Sequence, residues 1–65
     1  MKLYDFAKAH SGEYSMLWYY VSGFFEKSYH DHFAYVAGYL NCLRETGILS
    51  QEDFDTLDCE LYSHI

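Results

Sequence analysis

The triplet His30-Asp31-His32 is the part of this sequence whose residue types come closest to a site for chemistry. Two imidazoles and a carboxylate are ligands of transition metals, and further ligands would have to come from His10, His64, Cys42 or Cys59. Structural zinc sites usually combine two closely spaced ligand pairs, and the sequence holds no second pair. On a helix, residues two apart do not share a face. We therefore expect solvated histidines here, with no bound metal or other cofactor.

The remaining polar residues do not predict catalysis either. A reactive cysteine needs a cation, a histidine or a helix N-terminus that stabilises its thiolate, whereas Cys42 and Cys59 fall late in predicted helices among acids. Their expected role is that of small hydrophobic filler with free thiols. Asp55 and Glu60 are carboxylates suited to acid–base work, but they fall on an exposed helix face, and so short a chain leaves little room for a cleft. The sequence thus predicts a protein without enzymatic activity.

Aromatic residues are unusually frequent, at 22% of the chain. A core of this size cannot enclose so many rings, because a short chain buries a smaller share of its surface. Trp and Tyr are also enriched in binding hot spots. We expect an exposed patch that binds a partner, made of Tyr14, Trp18, Tyr19, Phe25, Tyr35 and Tyr39. The alternative is that all six pack inside.

The net charge of −6 lies entirely in the last third of the chain. Residues 1–44 contain four basic and four acidic residues, whereas residues 45–65 contain six acidic residues and no Lys or Arg. The shortage of basic residues disfavours direct binding to nucleic acid or to an acidic membrane. The surplus acid is either a solvated face that keeps the protein soluble or a binding face for a basic partner, loosely similar to a row of phosphates. For the second interpretation the candidates are Asp55, Asp58 and Glu60.

The final helix has the clearest sequence signals. Ser50 is suited to the N-cap, and Asp53 stands three residues later, as the acidic member of a capping box does. Gly47 is suited to end the preceding helix near Thr46. One apolar stripe follows at helical spacing, made of Phe54, Leu57 and Leu61. These signals predict a helix over residues 51–63.

The helix before this loop has an apolar face over residues 33–43, and Ser28 with Asp31 is its expected capping pair. Because the loop is short, the last two helices should lie antiparallel. A register centred on the loop makes three apolar pairs: Leu43 with Phe54, Leu40 with Leu57, and Val36 with Leu61. Ala34 and Gly38, small residues four apart, are expected to pack against the preceding helix, where Gly23 could also allow a close approach. The alternative is a contact between two subunits.

Residues 13–27 are apolar nearly all round. Their types favour strands, but they do not alternate and no second strand is available, so a helix is predicted. A helix of this kind is buried on two sides, and one of these sides is expected to meet another molecule. A short helix over residues 2–9 comes first. The predicted fold class is all-α: a single domain over residues 1–65, a compact bundle of three main short helices plus a short N-terminal helix, with the last two forming an antiparallel hairpin.

The expected location is the cytoplasm. The amino terminus lacks the basic-then-apolar run of a signal peptide. The longest apolar run, residues 16–21, is far shorter than the roughly 20 residues of a membrane span. Two cysteines in so small a domain fit a reducing compartment. In size, acidity and aromatic content the chain resembles small helical products of phages and mobile elements.

Two functional hypotheses follow. The first is a small acidic protein-binding regulator or inhibitor that occludes a partner, in its sharpest form a basic nucleic-acid-binding protein. Aromatic residues would anchor this complex, and acids of the last helix would steer association. The second is a self-associating structural module, a homodimer with an aromatic interface. A metal-dependent or thiol enzyme is the weakest reading.

Overall fold

The computed structural model of the protein describes residues 1–64, and within that range four α-helices form the whole of the regular structure. They are α1 (Lys2–Ala9), α2 (Ser15–Glu26), α3 (His32–Glu45) and α4 (Gln51–Tyr62). The predicted all-α class and the helical assignment of the aromatic second segment are therefore confirmed. The last helix ends one residue earlier than the sequence indicates.

The loop between α3 and α4 is built by the two residues that the sequence singles out. Ser50 has an extended backbone, and its Oγ accepts a hydrogen bond from the Asp53 N–H at 3.1 Å. Gly47 has a φ of 81°, which only a residue without Cβ adopts freely. Its N–H donates to the Arg44 carbonyl and the Ile48 N–H donates to the Leu43 carbonyl, the two bonds of a Schellman motif. Both predicted caps are confirmed.

The predicted cap of α3 is wrong. α3 begins after Asp31, which makes no capping hydrogen bond through its side chain. Ser28 instead lies at the end of α2 with a φ of 56°, where the N–H groups of Lys27 and Tyr29 both donate to the Gly23 carbonyl. The residue has the left-handed backbone that usually favours glycine after a helix. A serine in a turn therefore stops one helix here and does not start the next.

The four helices pack in a ring, in which each helix contacts the next and α1 closes the ring against α4. The enclosed core is aliphatic apart from two phenylalanines. Its members are Leu3, Ala7, Leu17, Val21, Phe24, Val36, Leu40, Leu43, Leu49, Phe54, Leu57 and Leu61. No tyrosine and no charged residue of the described chain is among them. The tyrosines consequently occupy the outer layer.

The α3–α4 hairpin is antiparallel, as predicted. At its open end the Phe33 and Tyr62 rings lie 4.9 Å apart between centroids. At its loop end the Arg44 guanidinium lies 4.5 Å over the Phe54 ring. All six residues of the three predicted apolar pairs are buried.

The small residues are used differently from the expectation. Ala34 and Gly38 are exposed, and a Cβ added to Gly38 would meet nothing within 4 Å, so they do not pack against α2. The close approach between α2 and α3 is at Gly23, which is buried. A Cβ there would come within 2.7 Å of Cε1 of His32. The close approach at Gly23 agrees with the sequence, whereas its partner, the His32 imidazole, was not predicted.

Candidate functional site: an uncharged tyrosine face on α2 and α3

Charged residues are absent from most of α2 and α3. Neither residues 14–25 nor residues 32–43 contain a Lys, Arg, Asp or Glu, although such residues make up 22% of the chain. The two helices are neighbours in the ring. The outer surface that they share therefore carries no formal charge when histidine is neutral, and the net charge of −6 lies elsewhere.

Tyrosines cover this shared surface. The rings of Tyr20 on α2 and Tyr35 on α3 are stacked, with centroids 4.5 Å apart and planes 8° from parallel. Tyr14, the residue before α2, and Tyr39 on α3 meet edge to face with their ring centroids 6.2 Å apart. Tyr19 and Tyr35 are each 59% exposed, and Met16 beside them is exposed as well. We call this surface the tyrosine face and define it by the residues Met16, Tyr19, Tyr20, Ala34, Tyr35, Gly38, Tyr39 and Cys42.

The His32 side chain on α3 contacts α2 beneath the tyrosine face. Its Nδ1 lies 3.1 Å from the Tyr20 carbonyl oxygen, and its ring packs on the bare Cα of Gly23. The rings of Tyr19, Tyr20 and Tyr29 lie between 4.9 and 5.8 Å from it. This histidine therefore holds α2 and α3 together, and it is only partly exposed, unlike the solvated residue that the sequence led us to expect.

The six predicted aromatic residues separate into two groups. Tyr14, Tyr19, Tyr35 and Tyr39 belong to the α2–α3 side. Trp18 and Phe25 lie on the opposite flank of α2, half-buried toward α1, where their rings are 5.1 and 6.4 Å from that of Tyr4. A groove of about 360 Å³ runs between the two groups and is lined by both Trp18 and Tyr19. A partner on the tyrosine face would therefore have to extend across α2 to contact Trp18 as well.

Tyr4 completes the α1–α2 group. Its hydroxyl donates a hydrogen bond to the Glu26 carboxylate at 2.8 Å. This bond, with help from desolvation and the nearby negative charges, raises the pKa of Tyr4 above its ordinary value of 10.0. The proton is thus held by the folded protein, and the contact ties α1 to the end of α2.

The three predicted acidic residues do not form one row. Residues two apart in sequence are rotated by about 200° about the helix axis. Asp58 and Glu60 therefore lie on opposite flanks of α4. The Glu60 carboxylate accepts hydrogen bonds from the N–H groups of Lys2 (3.2 Å) and Leu3 (3.0 Å) and thereby caps α1. Asp55 is exposed and accepts a hydrogen bond from Gln51 Nε2 at 2.9 Å.

Asp58 faces the α3 side of α4 and is partly buried. Desolvation raises the pKa of its carboxyl, the charge of Asp55 raises it further, and Arg44 opposes both effects. Of the three predicted acids, Asp55 and Asp58 thus lie close enough to influence each other. Glu60 instead caps α1.

The predicted aromatic patch left out five members of the tyrosine face: Met16, Tyr20, Ala34, Gly38 and Cys42. Sequence reasoning also predicted that Cys42 and Cys59 are filler with free thiols. The free thiols are confirmed, but the role of filler is wrong, because both residues are exposed. The signal that would have found the face is the pair of charge-free runs, since an exposed surface in a chain with this many acids is not expected to lack charge.

Similarity to known proteins does not assign this chain to a family. Comparisons with protein-family models, with curated proteins and with solved structures give no significant match. Among residues 1–64, no three His, Cys, Asp or Glu side chains are grouped closely enough to hold a metal ion. None of the helices in that range is both long and apolar enough to cross a membrane.

Proposed function

We propose that this protein is a small protein-binding regulator that acts by occlusion, covering a surface of another protein with its tyrosine face. The observation that carries the proposal is the exposure of Tyr19 and Tyr35, 59% each, on a surface without formal charge. Large exposed apolar patches mark interaction sites, and tyrosine provides rigid contact area at a small cost in side-chain entropy.

The chemistry of the partner is suggested by where the charge lies. An uncharged face fits an apolar pocket, while the acids elsewhere on the chain, half of them on α4, attract a basic surface and raise the rate of association. A protein that binds nucleic acid is the sharpest candidate, since its binding surface is rich in Lys and Arg. Because Asp58 and Glu60 are separated, we favour steering by the overall negative charge of the chain. A row of carboxylates that imitates phosphates is less favoured.

The proposal is tested by site-specific crosslinking in the source cell. A photoreactive phenylalanine analogue replaces Tyr19, Tyr35 or Tyr62 in turn. Tyr62 is the matched control, because it is a tyrosine of similar exposure (52%) that lies on α4, away from the tyrosine face. We expect one defined protein, other than a second copy of this chain, to be captured from positions 19 and 35 and not from position 62. Capture from position 62 alone would refute the proposal that the partner binds the tyrosine face.

The captured protein then allows a binding measurement. We expect Tyr35→Ala to weaken binding roughly thirtyfold, the effect of losing a hot-spot aromatic. Raising the salt concentration from about 0.1 M to about 1 M should slow association, because the screening length falls from about 10 Å to about 3 Å. An association rate that does not respond to salt would refute the proposal that the partner is basic. It would not contradict binding through the tyrosine face.

A further inference from the structure

We propose that, in the free protein, a second copy of this chain covers the tyrosine face, with the two α3 helices crossing at Gly38. The partner protein and the second copy would then compete for one surface, so that dissociation of the dimer regulates binding of the partner. The inference uses the same face as the proposed function, but it does not depend on which protein is the partner.

The shape of α3 suits a close crossing of two helices. Ala34, Gly38 and Cys42 follow one another at intervals of four residues along its outer side, and all three are exposed. Nothing lies within 4 Å of a Cβ built on Gly38. Small residues at the contact let helix axes approach to about 8 Å. The exposed Tyr35 stands three residues from Gly38, where its ring can lie against the other copy at that open position.

Charge restricts where two copies can meet. Each chain carries −6, so any contact between the acidic sides brings like charges together. The tyrosine face is the side on which this does not happen. The first charged residues on the outer side of α3 are Asp31 and Glu45, near its two ends. When helices cross at an angle of about 50° their ends diverge, which separates these carboxylates from those of the other copy.

A stable dimer would cover a large share of the surface of so small a chain. A standard stable interface buries about 800 Å² on each side, which is close to one fifth of the 4044 Å² surface of this chain. The molecule measures 30 × 25 × 18 Å, so an interface of that size is one whole side. A core of this size gains stability from a second subunit.

The experiment uses the two native cysteines as reporters. Cys42 lies on the tyrosine face and Cys59 lies on α4, and both are exposed in the single chain. The mass in solution and the alkylation rates of both thiols are measured over a range of protein concentration. We expect the mass to rise to twice 7.7 kDa. The Cys42 rate should fall about tenfold once roughly 90% of the chains are dimeric, because only free monomer reacts, while Cys59 keeps its rate.

A substitution tests the crossing point. Gly38→Glu introduces a side chain and a charge where open space surrounds the monomer, so the fold is preserved. Gly12→Glu is the matched control, because Gly12 is equally unobstructed and lies in the α1–α2 loop. We expect Gly38→Glu to remain monomeric with a fast-reacting Cys42, and Gly12→Glu to dimerise normally. A wild-type chain that stays monomeric, or a Gly38→Glu variant that still dimerises, overturns the inference.

The two proposals can fail separately. A monomer at every concentration, together with capture of one protein from positions 19 and 35, would leave the proposed function standing without the second copy. A dimer that protects Cys42 and is not displaced by the captured protein would refute the competition. A dimer that is displaced supports both.

Discussion

Glu60 gives the sharpest test of the reasoning, because the sequence assigns it to partner binding and the structure assigns it to the start of α1. Its carboxylate accepts two backbone N–H groups, those of Lys2 and Leu3. A helix cap contributes about 0.5–2 kcal/mol, and a negative charge at a helix N-terminus adds about 0.3–1 kcal/mol. Because the site is partly solvated, we expect Glu60→Ala to lower the free energy of unfolding by about 1–2 kcal/mol. In a domain of this size such a loss lowers the Tm by roughly 5–15 °C.

The measurement is urea or thermal unfolding followed by circular dichroism, with amide exchange of α1 recorded alongside. Asp55→Ala is the matched control, since Asp55 is an exposed carboxylate on the same helix that contacts a side chain. This control should change the free energy of unfolding by less than about 0.5 kcal/mol. Glu60→Gln, which keeps one acceptor oxygen, should fall between the two. If Glu60→Ala were as stable as Asp55→Ala and the α1 amides kept their protection, the capping role would be refuted.

Three further substitutions test local features. Ser28→Gly should stabilise the protein by about 0.5–1 kcal/mol in urea unfolding, because a Cβ is unfavourable at its positive φ. Gly23→Ala should destabilise it by about 1–3 kcal/mol in the same assay, because the new methyl group collides with His32. The raised pKa of Tyr4 means that the folded protein holds this proton more tightly than the unfolded chain, so its contribution is complete below pH 10 and is lost as the pH rises through the folded value. Tyr4→Phe should therefore reduce the loss of stability at alkaline pH, measured by unfolding at pH 8 to 12.

Each of these predictions has a control within the chain. Gly47→Ala places a Cβ at the other positive φ and should destabilise by about 1 kcal/mol, opposite in sign to Ser28→Gly. Gly38→Ala, studied as a monomer, fills open space in a helix and should be neutral or stabilising. Tyr62→Phe removes a hydroxyl elsewhere and should leave the alkaline slope unchanged. Equal effects in a test variant and its control would contradict the corresponding explanation.

The helices could be predicted from the sequence because their signals are local. The Ser50 cap, the Gly47 stop and the apolar stripe of α4 each depend on residues within one or two turns. The antiparallel hairpin followed from the short loop between them. Positions governed by distant contacts were not predictable in this way. Ser28 ends a helix through a backbone conformation that its residue type disfavours.

The candidate site was only partly predictable for the same reason. Counting rings indicated an exposed aromatic surface, and Tyr19 and Tyr35 do lie on one. The division of α2 into two flanks, with Trp18 turned toward α1, depends on how the ring of helices closes. Glu60 could not be recognised as a cap because its donors are 57 and 58 residues away in sequence.

The contact between Glu60 and the first turn of α1 also has a consequence for the order of folding. The amide donors at Lys2 and Leu3 are separated from their acceptor by 58 and 57 residues of chain. Contacts so far apart in sequence form late, because the intervening chain must first lose its entropy. A helix of only eight residues is marginal until it docks. We therefore expect α1 to be the last of the four helices to become stable, although it precedes the other three in the chain.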